Sequence, residues 1–243
     1  MPKIRLDKLM LVKKLADSRQ KAQALIMAGV VEVNGMRRDK PASQVDMNSH
    51  IKVAGKICPY VSRGGLKIAQ GLSFFELNPD GLICADIGAS TGGFTDCLLQ
   101  NGASKVYAID VGYGQLAWKL RQDERVVVME RTNARKLCPA DLPEPIDLAV
   151  IDAAFISLRL LIPPLLPLFK TSAAILALIK PQFEVGKGQV GKGGVVRDEA
   201  LRQQVIADTI TFTANLGLTS AGVCASPILG PKGNKEFLIY LRG

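Results

Sequence analysis

The residues best placed by type and spacing to do chemistry begin with Asp86-Ile87-Gly88-Ala89-Ser90-Thr91-Gly92-Gly93-Phe94-Thr95-Asp96. This run follows an apolar stretch, Leu82-Ile83-Cys84-Ala85, and opens a helical pattern. Glycines at a strand-to-helix turn let backbone approach a ligand, and the helix start offers free N–H groups. About 20 residues further on, Tyr107-Ala108-Ile109-Asp110 ends a second apolar run, and an acid there can accept hydrogen bonds from both hydroxyls of a ribose. Two cofactors suit such a pair. A dinucleotide calls for G-x-G-x-x-G with its pyrophosphate on the helix start. The spacing here is G-x-x-x-G-G, with Asp86 before the loop and Asp96 after it. Carboxylates repel a pyrophosphate and suit the ammonium and sulfonium charges of S-adenosylmethionine. A purely structural turn is the third alternative.

A second set lies near the chain's other strand ends. Ile146 to Ile151 leads into Asp152-Ala153-Ala154-Phe155, and Ala177-Leu178-Ile179 leads into Lys180-Pro181-Gln182-Phe183-Glu184. Base-modifying enzymes of this architecture carry Asn-Pro-Pro-Tyr, or a cysteine after proline, at the first of these places. The sequence has neither, so no aromatic clamp and no cysteine nucleophile is expected. What remains is a carboxylate beside an ammonium. An alkyl hydroxyl gives up its proton only to a base, and a lysine can serve when burial or a second cation disfavours its charged form. Lys67 and Lys180 could make that pair, with Asp152 and Glu236 holding the geometry. Each taken alone reads equally as a solvated strand-end lysine or an exposed edge acid.

The elements that must position these residues follow from periodicity. After about residue 66 apolar runs and helical patterns alternate, with strands expected at 82–87, 105–110, 125–129, 147–152 and 173–180, a helix over 198–216, and final strands at 218–226 and 235–242. That is an α/β fold: a Rossmann-like, mostly parallel sheet with one antiparallel edge strand. Upstream, Ile4, Leu6, Leu9, Val12 and Leu15 predict one amphipathic helix. Asp17-Ser18 caps a second, Arg19 to Ala28, and Gly29 ends it. Strand 30–33, the Asn34-Gly35 turn and strand 51–53 complete a small α+β module. The turn-rich stretch around Ser62-Arg63-Gly64-Gly65 marks the boundary, dividing the chain into 1–60, a linker 61–65, and 66–243.

Charge separates the two parts. The chain holds 31 Lys+Arg against 22 Asp+Glu, and the first 67 residues carry fourteen of those bases against five of the acids; the rest is balanced. A concentrated positive field attracts a polyanion, with Arg5, Lys8, Arg19, Lys21, Arg37, Arg38 and Lys40 as candidate phosphate contacts and Arg63 at the junction. Gly186-Lys187-Gly188-Gln189-Val190-Gly191-Lys192-Gly193-Gly194 suggests a flexible loop closing on phosphate, or a plain connector; it lacks the Gly-Lys-Ser/Thr of a Walker loop. Five scattered cysteines without a CxxC pair and a single histidine, His50, argue against a zinc site or disulfide framework, so no metal is expected and the cytoplasm is the expected compartment. The most apolar stretch, 158–179, contains Arg159, Lys170 and three prolines, so no membrane insertion is expected.

These residues carry a resemblance. Arg5-Leu6-Asp7, Ser18-Arg19-x-x-Ala22, Ile26-x-x-Gly29-x-Val31 and Val33-Asn34-Gly35 resemble the S-four (alpha-L) RNA-binding domain, and residues 61–243 resemble the FtsJ-like ribose methyltransferases. The order of the two, with Ser62-Arg63-Gly64-Gly65-x-Lys67 at the junction, is similar to the TlyA family, whose members are often labelled hemolysins. The resemblance implies S-adenosylmethionine as cofactor, held by Asp86, Gly88, Ala89, Ser90, Gly92, Gly93, Phe94, Asp110, Val111, Asn133 and Asp152. It implies a Lys67, Asp152, Lys180, Glu236 tetrad, and 2′-O-methylation of a cytidine ribose in ribosomal RNA, free or within a subunit. A base methyltransferase and a non-catalytic ribosome-binding factor remain the alternatives, a homo-oligomer is compatible with either, and nothing in the chain resembles a pore-forming element.

Overall fold

The computed structural model describes residues 3–27, 29–53, 58–186, 188–191 and 193–243, and divides into two compact units, Met1–Arg63 and Gly64–Gly243. In the first unit, β1 (Lys3–Arg5) leads into α1 (Leu6–Val12), then α2 (Arg19–Met27), β2 (Val31–Val33), β3 (Met36–Arg38), β4 (Gln44–Asp46) and β5 (Ile51–Val53). β2 lies between β3 and β5, while β1 pairs with β4, all antiparallel. Leu6, Leu9, Met10, Ala22, Leu25, Ile26, Val31, Val33, Val45 and Ile51 form its core.

The helix expected from Ile4 to Leu15 is shorter at both ends. Ile4 sits opposite Val45 in β1. The first free N–H groups of α1, on Leu6 and Asp7, are taken by the carbonyls of Ser43 and Pro41. This supplies from a distant loop what a local cap would supply. At the other end Lys14 turns left-handed, with φ 54°. α2 starts where Ser18 Oγ accepts from Lys21 N at 3.1 Å; its expected last residue, Ala28, lies outside the described residues.

The second unit opens with α3 (Gly64–Phe74), which takes in Gly64 and Gly65, two residues that the sequence reading leaves in the linker. There follow β6 (Ile83–Ile87), α4 (Gly93–Gln100), β7 (Lys105–Ile109), α5 (Trp118–Arg121), β8 (Val126–Met129), β9 (Leu148–Ile151), α6 (Leu158–Leu165), β10 (Ala174–Ile179), α7 (Pro181–Glu184), α8 (Glu199–Ala214), β11 (Thr219–Ala225) and β12 (Phe237–Arg242). The sheet order is β11-β12-β10-β9-β6-β7-β8. β9 is wholly buried and β10 nearly so, which is why they read as unbroken apolar runs rather than alternating ones.

Within this sheet, among the described residues, β12 alone runs against its neighbours on both sides, β10 and β11. It lies one place in from the edge, where the sequence reading puts the antiparallel strand at the edge itself; the outermost strand, β11, runs with the rest. The connection over 226–236 lets β12 return beside β11, and the open flank of β10 takes the other side of β12. The apolar stretch over 158–179 is α6 followed by β10, and among the described residues no helix is long and apolar enough to cross a membrane.

Candidate active site

The parallel strands β6, β7 and β9 end on one side of the sheet, the side where open α/β sheets take their ligands. A cavity of about 760 Å³ lies there, walled by residues that include Gly88, Ser90, Asp110, Val111, Gln115, Asn133, Asp152, Phe155 and Leu160. Gly88, with φ 86°, turns the chain away from β6. A Cβ at this position would stand 2.9 Å from the backbone of Ala153, so only glycine fits. Ser90 N and Gly112 N donate to the two oxygens of Asp110 at 2.8 and 2.6 Å, which fixes that carboxylate at the end of β7. Asn133 Oδ1 accepts from Arg135 N and starts a short turn.

The wall's charges are Asp110, Asp152 and a single Arg135, and its apolar part includes Ile87, Ile109, Ile156 and Leu161. Two acids and a flat apolar side fit a cationic nucleoside such as S-adenosylmethionine and do not fit a pyrophosphate.

Other members of the expected cofactor set lie off this wall. Ala89 and Phe94 are buried behind the loop. Gly92 starts α4 in a left-handed conformation, with Leu116 and Leu120 packed where a side chain would be, and Gly93 is buried beside it. Asp86 is fully buried. Its Oδ2 accepts from Thr95 N and Thr95 Oγ1 at 2.9 and 2.7 Å, and its Oδ1 has no partner among the described residues. Burial pushes this carboxyl up to about 7; the Thr95 hydrogen bonds oppose the shift, and the Asp152 and Asp110 charges add to it. Asp96, read as a charge for the cofactor, is instead engaged by Lys119 at 2.9 Å and by Gln100. A helix acid with a cation in reach is neutralised by it.

Beside the cavity, four residues separated by up to 169 positions meet. Lys67, one turn into α3, places Nζ 2.8 Å from Glu236 Oε2 and 3.4 Å from Asp152 Oδ2. Lys180, at the end of β10, places Nζ 2.5 Å from Asp152 Oδ1 and donates to the Asp152 and Ala153 carbonyls at 3.2 and 3.0 Å. Lys67, Lys180 and Glu236 are buried, with 8%, 7% and 2% of their surface exposed. The solvated-lysine and exposed-acid alternatives do not describe them. Asp152 bridges the two amines, and Glu236 Oε1 has no hydrogen-bond partner among the described residues.

No Asn-Pro-Pro-Tyr motif follows β9, yet an exposed aromatic ring stands at that place. Phe155, three residues past Asp152, is 90% exposed in a left-handed conformation with φ 62°, and its ring lies 5.1 Å from that of Phe183. An acid followed three residues later by an aromatic ring was the available signal; the missing prolines hid it. Glu184 was missed as well. It accepts from Ser157 Oγ at 2.6 Å and from Leu158 N at 2.8 Å, tying α7 to the start of α6.

The candidate phosphate contacts all fall in the first unit. Arg5 is half-buried; Lys8, Arg19, Lys21, Arg37, Arg38, Lys40 and Arg63 are exposed. Arg37 and Arg63 share a hollow of about 370 Å³ with Met27, Gly29 and Asp39. Lys187 and Lys192 of the glycine-rich loop lie outside the described residues; Asn234 anchors that loop's far end, accepting from Val196 N at 3.1 Å and donating to the Gly194 carbonyl at 2.9 Å.

A mostly parallel seven-stranded sheet with a glycine turn after β6, an acid ending β7 and one reversed strand defines the class of Rossmann-like methyltransferases. The magnesium protoporphyrin IX methyltransferase of Synechocystis shares the fold at a TM-score of 0.51 and 13% identity, over 77% of this chain and 88% of that one. The chain belongs to the FtsJ-like methyltransferase family, whose model matches residues 60–243, and an S4 domain model matches residues 4–51. Among its relatives, the 16S/23S rRNA (cytidine-2'-O)-methyltransferase TlyA of Mycobacterium tuberculosis is 48% identical over 98% of this chain and 89% of that protein. Hemolysin A of Brachyspira hyodysenteriae is 40% identical over 98% of this chain and 99% of that one. A Streptococcus thermophilus structure described as a hemolysin superposes with a TM-score of 0.79 at 44% identity, covering 100% of this chain and 89% of that one.

Proposed function

We propose that this chain methylates the ribose 2′-oxygen of a cytidine in ribosomal RNA, in the cytoplasm, with S-adenosylmethionine as the methyl donor and the N-terminal unit as the RNA grip. The reading is carried by the meeting of Lys67, Asp152, Lys180 and Glu236 beside a cavity whose wall suits a cationic nucleoside. The activity of the M. tuberculosis relative supports it.

Gly88, Ser90, Asp110, Val111 and Asn133 would hold the cofactor, which when bound supplies an electrophilic methyl on a positive sulfur. Lys180 removes the proton of the 2′-hydroxyl. Its nitrogen has three acceptors around it, two carbonyls and Asp152, which hold the ammonium formed when the neutral amine takes that proton. Asp152 holds Lys180 in place. Lys67, tied to Glu236, adds positive charge where a ribose phosphate would lie. Phe155 and Phe183 offer ring surface for the cytosine base. Alignment of these groups supplies most of the acceleration.

The aromatic pair would also suit a base methyltransferase, but a base nitrogen has no need of two paired amines. Digestion of modified RNA to nucleosides separates the readings: 2′-O-methylcytidine is expected, and a methylated base would replace this account. Lys180→Ala should slow transfer by about 10²–10⁴-fold with cofactor affinity within a few-fold. Full activity in that variant would remove Lys180 as the base.

A further inference from the structure

Among the described residues of the first unit, Asp7 is the carboxylate with the most hydrogen bonds. Its side chain has no exposed surface, yet the groups around it are cations near the surface. Its Oδ1 accepts from Arg5 Nε and Lys8 N, both at 3.0 Å. Its Oδ2 accepts from Arg5 Nη2 at 2.8 Å, Arg19 Nε at 3.0 Å and Gln23 Nε2 at 2.9 Å. One acid therefore gathers two guanidinium groups from different elements, β1 and the first residue of α2.

The arrangement is an odd one if it serves stability alone. Enclosing an ionised carboxylate costs solvation, and ion pairs of this kind are often replaceable by apolar packing without loss. What distinguishes it is what it leaves open. Arg5 spends one edge of its fork on Asp7, and Arg19 spends only Nε. The remaining Nη groups make no hydrogen bond among the described residues, and the two side chains keep 35% and 48% of their surface exposed. Two guanidiniums side by side would repel each other; the carboxylate between them offsets that repulsion and fixes both planes. A planar fork with its free edge outward matches two oxygens of a phosphate. Lys8 on α1 and Lys21 on α2 are exposed and add to the local positive field.

We propose that Asp7 sets Arg5 and Arg19 as a two-armed clamp on a single RNA phosphodiester, so that a buried negative charge strengthens binding to a polyanion. The clamp rests on the reading of RNA as partner, and Asp7 acts in it as a positioning residue.

The test uses the sign of the effect. Asp7→Asn adds one unit of positive charge. If only net charge mattered, RNA binding would tighten. The clamp predicts the opposite: about ten-fold weaker binding of the full chain to 16S and 23S transcripts, and a shallower dependence on salt. Asp17→Asn, at an exposed position with no ion pair to Arg5 or Arg19 among the described residues, makes the same charge change without touching the clamp and should bind as tightly as the parent or slightly tighter. Equal or tighter binding by a folded Asp7→Asn chain would overturn the clamp.

Should that variant fail to fold, a cycle that leaves Asp7 in place decides. Arg5→Gln and Arg19→Gln should each lose most of the binding the pair contributes, and the double variant should be little weaker than either. Losses that multiply would mean two independent contacts and no clamp. A parent chain that does not bind or methylate these transcripts would sink the functional reading itself, whereas a parent that does both while the cycle is multiplicative sinks only the clamp.

Discussion

At the scale of single residues, two buried acids pull the pH dependence of stability in opposite directions. Burial raises the Asp86 carboxyl to about 7, while an unfolded aspartate titrates at about 4. Across the window between these values the folded chain keeps a proton that the unfolded chain has released. Stability is therefore fully present below about pH 4, falls as pH rises towards 7, and is flat above that. Asp86→Asn keeps an acceptor for Thr95 and should abolish this slope, which is on the order of a few kcal/mol across the window. Urea midpoints at both ends of it are the measurement, and parallel slopes in the two proteins would refute the assignment. Asp7 is the reverse case. The Arg5 hydrogen bonds, aided by Gln23 and Arg19 and opposed by burial, hold its carboxyl well below the usual range. Its contribution is present above about pH 4 and is lost on further acidification. Gly88 makes a steric prediction. Gly88→Ala places Cβ against the backbone of Ala153 at φ 86°. It should cost about 1–3 kcal/mol and, by displacing the carbonyls that Lys180 grips, lower turnover at least ten-fold. Gly114→Ala, where φ is 71° and nothing lies within 4 Å, should carry the backbone strain without the loss of turnover.

At the scale of elements, α7 is a bracket four residues long. Lys180, just before it, grips the carbonyls of Asp152 and Ala153, Glu184 at its end holds Ser157 and Leu158, and Phe183 between them meets Phe155. Glu184→Ala frees the start of α6 and with it the segment that holds the exposed ring. The Michaelis constant for RNA should rise about ten-fold, the size of one or two lost charged hydrogen bonds, with cofactor affinity unchanged and partial rescue by Glu184→Gln. An unchanged Michaelis constant would show that the bracket does not position the ring. How much of this could be read beforehand depended on range. The central strands β9 and β10 were legible because burial on both faces leaves long apolar runs, and the turn after β6 because its glycines and Asp110 lie close in sequence. The start of α1 was not, since its N–H partners are carbonyls from residues 41 and 43. Nor was the place of β12, because no local pattern says which neighbour a last strand will take. The tetrad spans 169 positions and no periodicity links its members; the need of an alkyl hydroxyl for a base beside a second cation suggests the set, and the resemblance implies the same four residues. Phe155 carries only a weak local signal of a base contact, because the prolines usual before such a ring are alanines here.

At the scale of the whole molecule, the charge asymmetry becomes a statement about salt. The net charge of +9 belongs to the first 67 residues, and the balanced remainder pairs several of its own cations, among them Lys105 with Glu144 and Lys119 with Asp96. Binding to RNA releases counterions in proportion to the phosphates neutralised, so the slope of affinity against salt counts the cations that touch phosphate. Arg37 and Arg38, exposed on β3 with no ion pair among the described residues, should each contribute. Arg37→Ala with Arg38→Ala should reduce the slope by about two and weaken binding similarly across RNA sequences, since phosphate contacts carry little sequence information. Lys105→Ala and Lys119→Ala, whose charges are already answered inside the second unit, should leave the slope where it was. Filter binding of the full chain over a range of salt concentrations reads both. If the second pair moved the slope as far as the first, the grip on RNA would be spread over the methyltransferase unit, and the concentration of charge in the first quarter of the chain would have another cause.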